Sequence, residues 1–325
     1  MDQQTERKCL ALVENYRILA EGNMLEHGEM LAACAGLYLA AGVKPDVEKL
    51  KACKKLLKSK AGIFSNFRGM DELLVRCKMA LADDPAQYFE RLEREYQGIK
   101  TFFSGDQTVL AAMILAEEDA SLEGLGERTK QIYKEMKAAH PWLTSQNDLP
   151  FAALMAVSGK EASAVYAEAE EIYALLKKNL HAQSDTLQML SHILAIRGGT
   201  AETKCEKLCA LAAGMKEARR SLGWGSRLAI LGVLADSGLP ADALVERICE
   251  TDDFLKQYKP FHGLFGVGSY CRRMFAVQMV QASLTGEDSF GASAMMTASI
   301  ELAIVTAIML MIVVSSTSAA HTSSH

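Results

Sequence analysis

The sequence predicts an all-α protein in which tandem helical hairpins wind into a solenoid-like α/α superhelix. Three observations predict it. Apolar residues recur at helical spacing, whereas no alternation of period two lasts more than a few residues and no Asn-Gly or Asp-Gly hairpin signal occurs. Six apolar segments end in a large residue followed by a small one, at Leu39-Ala40, Leu81-Ala82, Leu115-Ala116, Val157-Ser158, Leu194-Ala195 and Leu234-Ala235, and these pairs recur every 34 to 42 residues. That is the length of a helix pair with its connections. Between them lie segments of a second type, half charged and amphipathic.

Taken in order, the apolar helices (A) begin near residues 27, 70, 106, 148, 185 and 225. A run such as Val109-Leu110-Ala111-Ala112-Met113-Ile114-Leu115-Ala116 is apolar on every side and belongs in an interior, and its small residues let neighbours approach closely. The amphipathic helices (B) are expected at 85–100, 127–139, 162–178, 201–218 and 241–258, covering the A layer from outside. Pro45, Pro85 and Pro240 stand where B helices should start, where a missing N–H costs nothing. Asp106, Asp148 and Asp185 precede A helices, where a short carboxylate caps free N–H groups. One helical-repeat domain is expected over 1–314, with a flexible tail at 315–325.

Composition excludes several roles. With 50% hydrophobic and 23% charged residues, a packed core is expected and disorder is excluded for most of the chain. A net charge of −5 supplies no field for phosphate backbones, so no nucleic-acid partner is expected. Lys44, Lys49, Lys51, Lys54, Lys55, Lys58 and Lys60 surround Leu50, Cys53, Leu56 and Leu57 at helical spacing, the pattern of a solvated helix face. The eight cysteines sit among apolar neighbours as small core residues; Cys205 and Cys209 share a helix face, but no second pair or nearby histidine completes a zinc set. No metal or cofactor is expected. Met1 to Lys8 is polar, with no apolar stretch before a cleavage site, from which a cytoplasmic location is expected.

The two edges of such a stack differ. The A-to-B connections are bland, as in Gly42-Val43-Lys44-Pro45 or Gly198-Gly199-Thr200, whereas the B-to-A connections hold both tryptophans and six of the eleven phenylalanines. Aromatics before a helix can wedge neighbouring hairpins or staple the first turn. Beside them stand polar groups near helix starts, where N–H dipoles favour an anion: Asn66, Arg68, His140, Trp142, His262, Arg272 and Arg273 are the candidate ligand-binding residues. Glycines 263, 266 and 268 superficially resemble a phosphate loop, but no strand precedes them and no Lys-Ser or Lys-Thr follows. His192, between Leu190 and Ile193 on a helix, reads as a core histidine before it reads as a catalyst. No Gly-x-Ser-x-Gly elbow, His-Glu-x-x-His motif or distinctive carboxylate pair occurs, so no catalytic residue is assigned.

The segments Phe64-Ser65-Asn66-Phe67-Arg68-Gly69, His140-Pro141-Trp142-Leu143-Thr144-Ser145 with Asp148-Leu149-Pro150-Phe151-Ala152, Leu187 to Leu194, and Phe265-Gly266-Val267-Gly268 before Arg272-Arg273 carry a resemblance. They are similar to those of the bacterial family called domain of unknown function 4003, over most of the chain. The resemblance implies a cytoplasmic bacterial protein and supplies no activity and no catalytic residue.

The segment 302–314 runs thirteen residues without a charge. As a helix it would cover about 20 Å, short of the roughly 30 Å hydrocarbon core, and no Lys or Arg follows Arg273 to anchor it. A buried terminal helix is therefore expected in preference to membrane association. Two functional classes follow: a helical-repeat interaction or scaffold protein that binds a protein or peptide, and a small-molecule binder or enzyme with an anionic ligand at the B-to-A junctions.

Overall fold

The computed structural model describes residues 1–23, 26–69, 71–101, 104–118, 124–223, 225–262 and 266–284, and no strand occurs among them. The apolar segment 302–314, the tail 315–325, Phe102, Phe103, Trp224 and residues 263–265 lie outside the described residues. In chain order the helices are α1 (Gln3–Gly22), α2 (Gly28–Ala40), α3 (Val47–Lys60), α4 (Glu72–Leu81), α5 (Pro85–Ile99), α6 (Asp106–Ala116) and α7 (Leu125–Ala139). There follow α8 (Leu149–Val157), α9 (Ala162–Asn179), α10 (Ser184–Ala195), α11 (Ala201–Glu217), a 3-10 helix at Ser226–Leu234, α12 (Ala241–Leu255) and α13 (Ser269–Leu284). Short 3-10 turns at Asn66–Arg68, Gln146–Asp148 and Lys259–Phe261 precede α4, α8 and α13.

Burial divides these into two layers. Every residue of α8, and every residue from Gln107 to Ala116 in α6, is buried. By contrast α5 buries one stripe, Tyr88, Phe89, Leu92, Tyr96 and Ile99. The inner layer is α2, α4, α6, α8, α10, the 3-10 helix 226–234 and α13; the outer layer is α1, α3, α5, α7, α9, α11 and α12. Small residues permit the inner contacts: a Cβ at Gly232 would stand 2.8 Å from Ile193 Cγ2 on α10.

The two layers close into a ring. Around the outside, α1 packs on α3, and the contacts continue through α5, α7, α9, α11 and α12 back to α1. Inside, α2 packs on α4, α6 on α8, α8 on α10, α10 on the 3-10 helix and that helix on α13. Asp106 at the start of α6 lies against Gly69 just before α4, and the Gln278 amide of α13 lies against α2 at Gly36. At the seam the N-terminal ammonium pairs with Glu250, Arg247 donates to Asp2 Oδ2 at 3.2 Å, and the Tyr16 and Phe261 rings stand 6.0 Å apart. Helices start at Gly28, Glu72, Asp106, Leu149 and Ser184, and a 3-10 helix at Ser226, each within a few residues of an expected A-helix start. The expected solenoid differs in having free ends; here α1 in the outer layer and α13 in the inner layer stand beyond the six expected hairpins and join the ends.

Outer lysines hold the C-terminal ends of inner helices, where the dipole is negative. Lys49 donates to Ala82 O (3.1 Å), Lys160 to Ala195 O (2.6 Å), Lys204 to Leu194 O (2.8 Å) and Lys207 to Ser237 O (3.1 Å). Glu168 binds Lys160 and Lys204 together. Within the lysine-rich helix α3 and its approach, Lys44, Lys51 and Lys60 pair with Glu14, Glu48 and Glu90. All eight cysteines are free thiols, six of them buried. Among the described residues no helix is long and apolar enough to cross a membrane.

Closure makes a measurable difference to α1. Its buried face, Cys9, Leu12, Val13, Tyr16 and Leu19, is a seam and not a fraying end. Hydrogen exchange should show α1 amides protected to within about tenfold of those in α9, and Leu12→Ala should cost about 2–5 kcal/mol, like a mid-chain core leucine. Exchange of α1 ahead of every other helix would contradict the closed ring.

Candidate functional site

The B-to-A connections bring the N-terminal ends of the inner helices to one edge of the ring. Apart from α7 and α12, which start after Gly124 and Pro240, the outer helices are capped in the usual way: Asp2, Asp46, Asp84, Glu161 and Thr200 each accept a backbone N–H with the side chain. The inner helices are not. His27, Asp71, Gly105, Asp148, Gln183 and Gly225 stand at the N-cap positions of α2, α4, α6, α8, α10 and the 3-10 helix without a side-chain cap bond.

The expected aspartate caps are therefore corrected. Asp106 is the first residue of α6, and Asp148 accepts the Ser145 N–H (2.8 Å) in a capping box on the preceding 3-10 turn. Asp185 lies inside α10 and accepts from Thr186 N (2.7 Å). Of the three prolines only Pro85 is the first helical residue; Pro240 is an N-cap, and Pro45 precedes the capping Asp46.

The candidate ligand-binding residues fall in three sectors of this edge. Before α4, Asn66 Nδ2 donates to Tyr96 Oη (2.6 Å) and Ser104 O (3.0 Å), tying two connections together, while Arg68 donates to Ala61 O (3.4 Å) with its buried Nε unpartnered. Before α8, His140 Nε2 lies 3.0 and 3.1 Å from the two Glu170 oxygens and its ring stacks 4.8 Å from Tyr173. Trp142 beside it is 96% exposed. Around α13, His262 is exposed, and Arg272 is buried with Nε donating to Asp252 Oδ1 (2.7 Å) and Nη1 to Phe261 O (3.1 Å). Arg273 donates to Ser221 O (2.7 Å), and its guanidinium and that of Arg227 stand 5.4 and 4.6 Å from the Tyr270 ring. Asp252, fully buried, also accepts from Arg220 (3.0 Å). Arg272 and Arg273 thus come together on Asp252; Asn66 with Arg68, and His140 with Trp142, stand elsewhere.

A family described as protein of unknown function, DUF4003, matches residues 15–317. The chain belongs to this family. It is also 27% identical over 186 residues to the uncharacterized protein YeaA of Bacillus subtilis (strain 168), a match spanning 53% of this chain and 54% of YeaA. The chain therefore aligns with about half of that relative's length. No solved structure matches.

In this DUF4003 chain His192 is a core residue between α8 and α10, its ring 6.2 Å from Phe151. Burial, with His140 adding to it, pulls its pKa down to about 3, so the imidazole is neutral. Among the described residues no group of three or more His, Cys, Asp or Glu side chains could hold a metal ion. Two open grooves, one of about 710 Å³ along α7 and one of about 570 Å³ between α11 and α12, lie on the outer layer and include none of the candidates.

The feature that sequence reading misses is a pair of carboxyls at the α4 and α6 starts. Asp71 is fully buried, and neither of its oxygens has a hydrogen-bond partner. Burial, and after it the charge of Asp106, pushes its pKa well up. Asp71 directly before a helix reads as an ordinary N-cap, so nothing in the sequence marks it.

Two substitutions separate structural from exposed roles here. Arg272→Ala leaves Asp252 buried with a weaker partner set and should cost about 3–5 kcal/mol in denaturant unfolding, whereas Trp142→Ala should change stability by less than about 0.5 kcal/mol. A pH series gives a second check. Burial raises the Asp148 carboxyl to about 6, above its unfolded value near 4, although Ser145 opposes the shift. Native Asp148 therefore holds its proton more tightly than the unfolded chain does. Its contribution is greatest below about pH 4 and is lost as pH rises through 6, on the order of 3 kcal/mol. Asp148→Asn should remove that part of the stability decline between pH 4 and 6.

Proposed function

We propose that this protein is a cytoplasmic bacterial interaction protein, a ring of helical repeats that docks a protein or peptide partner on the edge carrying the inner-helix N-termini. The observation that carries the reading is the exposure of Trp142 and Phe64. Both are fully solvent-exposed, and Ile63 beside Phe64 is 76% exposed. Phe67 and Phe261 on the same edge are buried as wedges, so wedging between hairpins accounts for those two and not for the exposed pair. Large exposed aromatics are the side chains most often found as binding anchors.

Spacing favours an extended partner. Phe64 precedes α4 and Trp142 precedes α8, with the α6 sector between them. At 8–10 Å per helix the anchors stand about 20 Å apart, the reach of roughly six extended residues. Free cysteines support a reducing location, and the Bacillus subtilis relative supports a bacterial source. A specific observation, the bare Asp71 carboxyl, favours a second reading as a small-ligand binder at the same edge.

Photoreactive residues at positions 64 and 142, introduced separately in cells, should cross-link the same partner protein, while one at Lys134 on the outer layer should not. The Phe64→Ala, Trp142→Ala double variant should bind that purified partner at least 30-fold more weakly, about 2 kcal/mol, with unchanged melting. Equal binding by the double variant, or no shared adduct, would sink the rim reading.

A further inference from the structure

Asp71 stands at the N-cap of α4, where an aspartate ordinarily accepts an N–H from the first turn and contributes about 1 kcal/mol. It forgoes that bond. The carboxyl stands close enough to Asp106, which opens α6, to feel its charge, and both Asp71 oxygens are left without a partner in a fully buried position. A buried polar group with no partner costs about 1–3 kcal/mol, so the orientation is expensive twice over.

The neighbouring backbone is shaped to keep the two carboxyls together. Asn66 O accepts the Gly69 N–H (3.1 Å), closing the 3-10 turn, and Asn66 Nδ2 reaches Ser104 O just ahead of α6. Asp106 then lies over Gly69 so closely that a Cβ there would stand 2.7 Å from its Oδ1. Gly69 has ordinary negative φ, so it is the space and not the backbone conformation that demands glycine. Charges on the elements that meet here are already committed: Arg68 donates to Ala61 O, and Glu72 and Arg76 on α4 face each other at 3.9 Å. None of them reaches Asp71.

We propose that Asp71 and Asp106 form a binding site for a primary ammonium group, that of a small alkylamine, entering between the starts of α4 and α6. A primary ammonium carries three donors on a compact charge, which two carboxyls and a loop carbonyl can accept. A divalent metal asks for six or more oxygens, and the pair has no third acidic side chain with it among the described residues. Burial and the neighbouring acid push the Asp71 carboxyl's pKa well up, so it holds a proton more tightly than a free aspartate; an arriving ammonium favours the ionised form, which releases that proton to solvent and becomes the counter-charge. Asp106, partly exposed, is the group the amine meets first. The site is independent of the partner-docking rim, because neither Phe64 nor Trp142 takes part in it.

Titration calorimetry of the full chain with n-butylammonium at pH 7, in two buffers of different ionisation enthalpy, should show one site and a net release of protons on binding. Tetramethylammonium, which has the charge without the donors, should bind at least tenfold more weakly. Asp71→Asn keeps the shape of the protonated acid and should retain the fold while losing at least tenfold in affinity and all proton release. Asp106→Asn at the partly exposed position, and Gly69→Ala, which displaces Asp106, should each lose at least tenfold. No amine binding at millimolar concentration, full affinity in Asp71→Asn, or preference for magnesium or inorganic phosphate over the amine would overturn the proposal.

Discussion

The inner helices α6 and α8 are buried on every side, and that single constraint organises the molecule. A helix such as α8, with all nine residues buried, needs a neighbour on each flank and a cover outside. A row of such helices leaves two bare flanks, one at each end. At roughly 1.5–3 kcal/mol for each large side chain left in water, a bare flank would cost as much as a small domain's entire stability. Joining the two ends removes both flanks at once, and this is what α1 accomplishes. It covers α2, reaches α12 and α13, and places Leu12 and Leu19 in the same continuous core as the mid-chain leucines.

Packing so many helices end-on creates a second problem, because each end exposes backbone groups that must find partners. The two edges solve it differently. On the C-terminal edge of the inner layer, lysines from outer helices reach across to the last carbonyls, and Arg197 at the end of α10 donates to Val233 O of the next inner helix while pairing with Asp236. These contacts knit adjacent hairpins as well as satisfying acceptors. On the opposite edge α2, α4, α6, α8, α10 and the 3-10 helix start without a side-chain cap bond from their N-cap residues.

Much of the architecture is legible in sequence because it rests on local periodicity. The A helices at 28, 72, 106, 149 and 184 and the B helices from 85 onward follow from apolar runs and amphipathic stripes that depend only on neighbours in the chain. Closure is not legible, since nothing local in Gln3 to Gly22 distinguishes a helix that meets α13 from one that ends a row. The 226–234 segment reads as an ordinary A helix, yet it is a 3-10 helix, the glycine at 232 pressing its backbone against Ile193. Site residues fare less evenly. Arg272 is visible as a charge beside aromatics, but its engagement with Asp252, twenty positions earlier, depends on how α12 and α13 pack.

Asp252 and Asp71 show how differently one fold treats two fully buried aspartates. Asp252 receives Arg272 and Arg220 at hydrogen-bonding distance, with Arg273 at 3.7 Å, so three guanidiniums meet one carboxylate. Such a cluster is expensive to assemble, and its geometry is fixed by α12, α13 and the loop after α11 together. The ring is thus able to supply cations to a buried acid when the acid is part of its framework. At the α4 and α6 starts it supplies none to Asp71: Arg68 turns to a carbonyl and Arg76 to Glu72. Since the same architecture neutralises one buried carboxyl and leaves the other bare beside a second acid, the bare one is not a general consequence of closing a helical ring. It is a local arrangement, held by Gly69 and Asn66 against a cost of kcal/mol, and a positive group arriving from outside is the addition that would remove that cost.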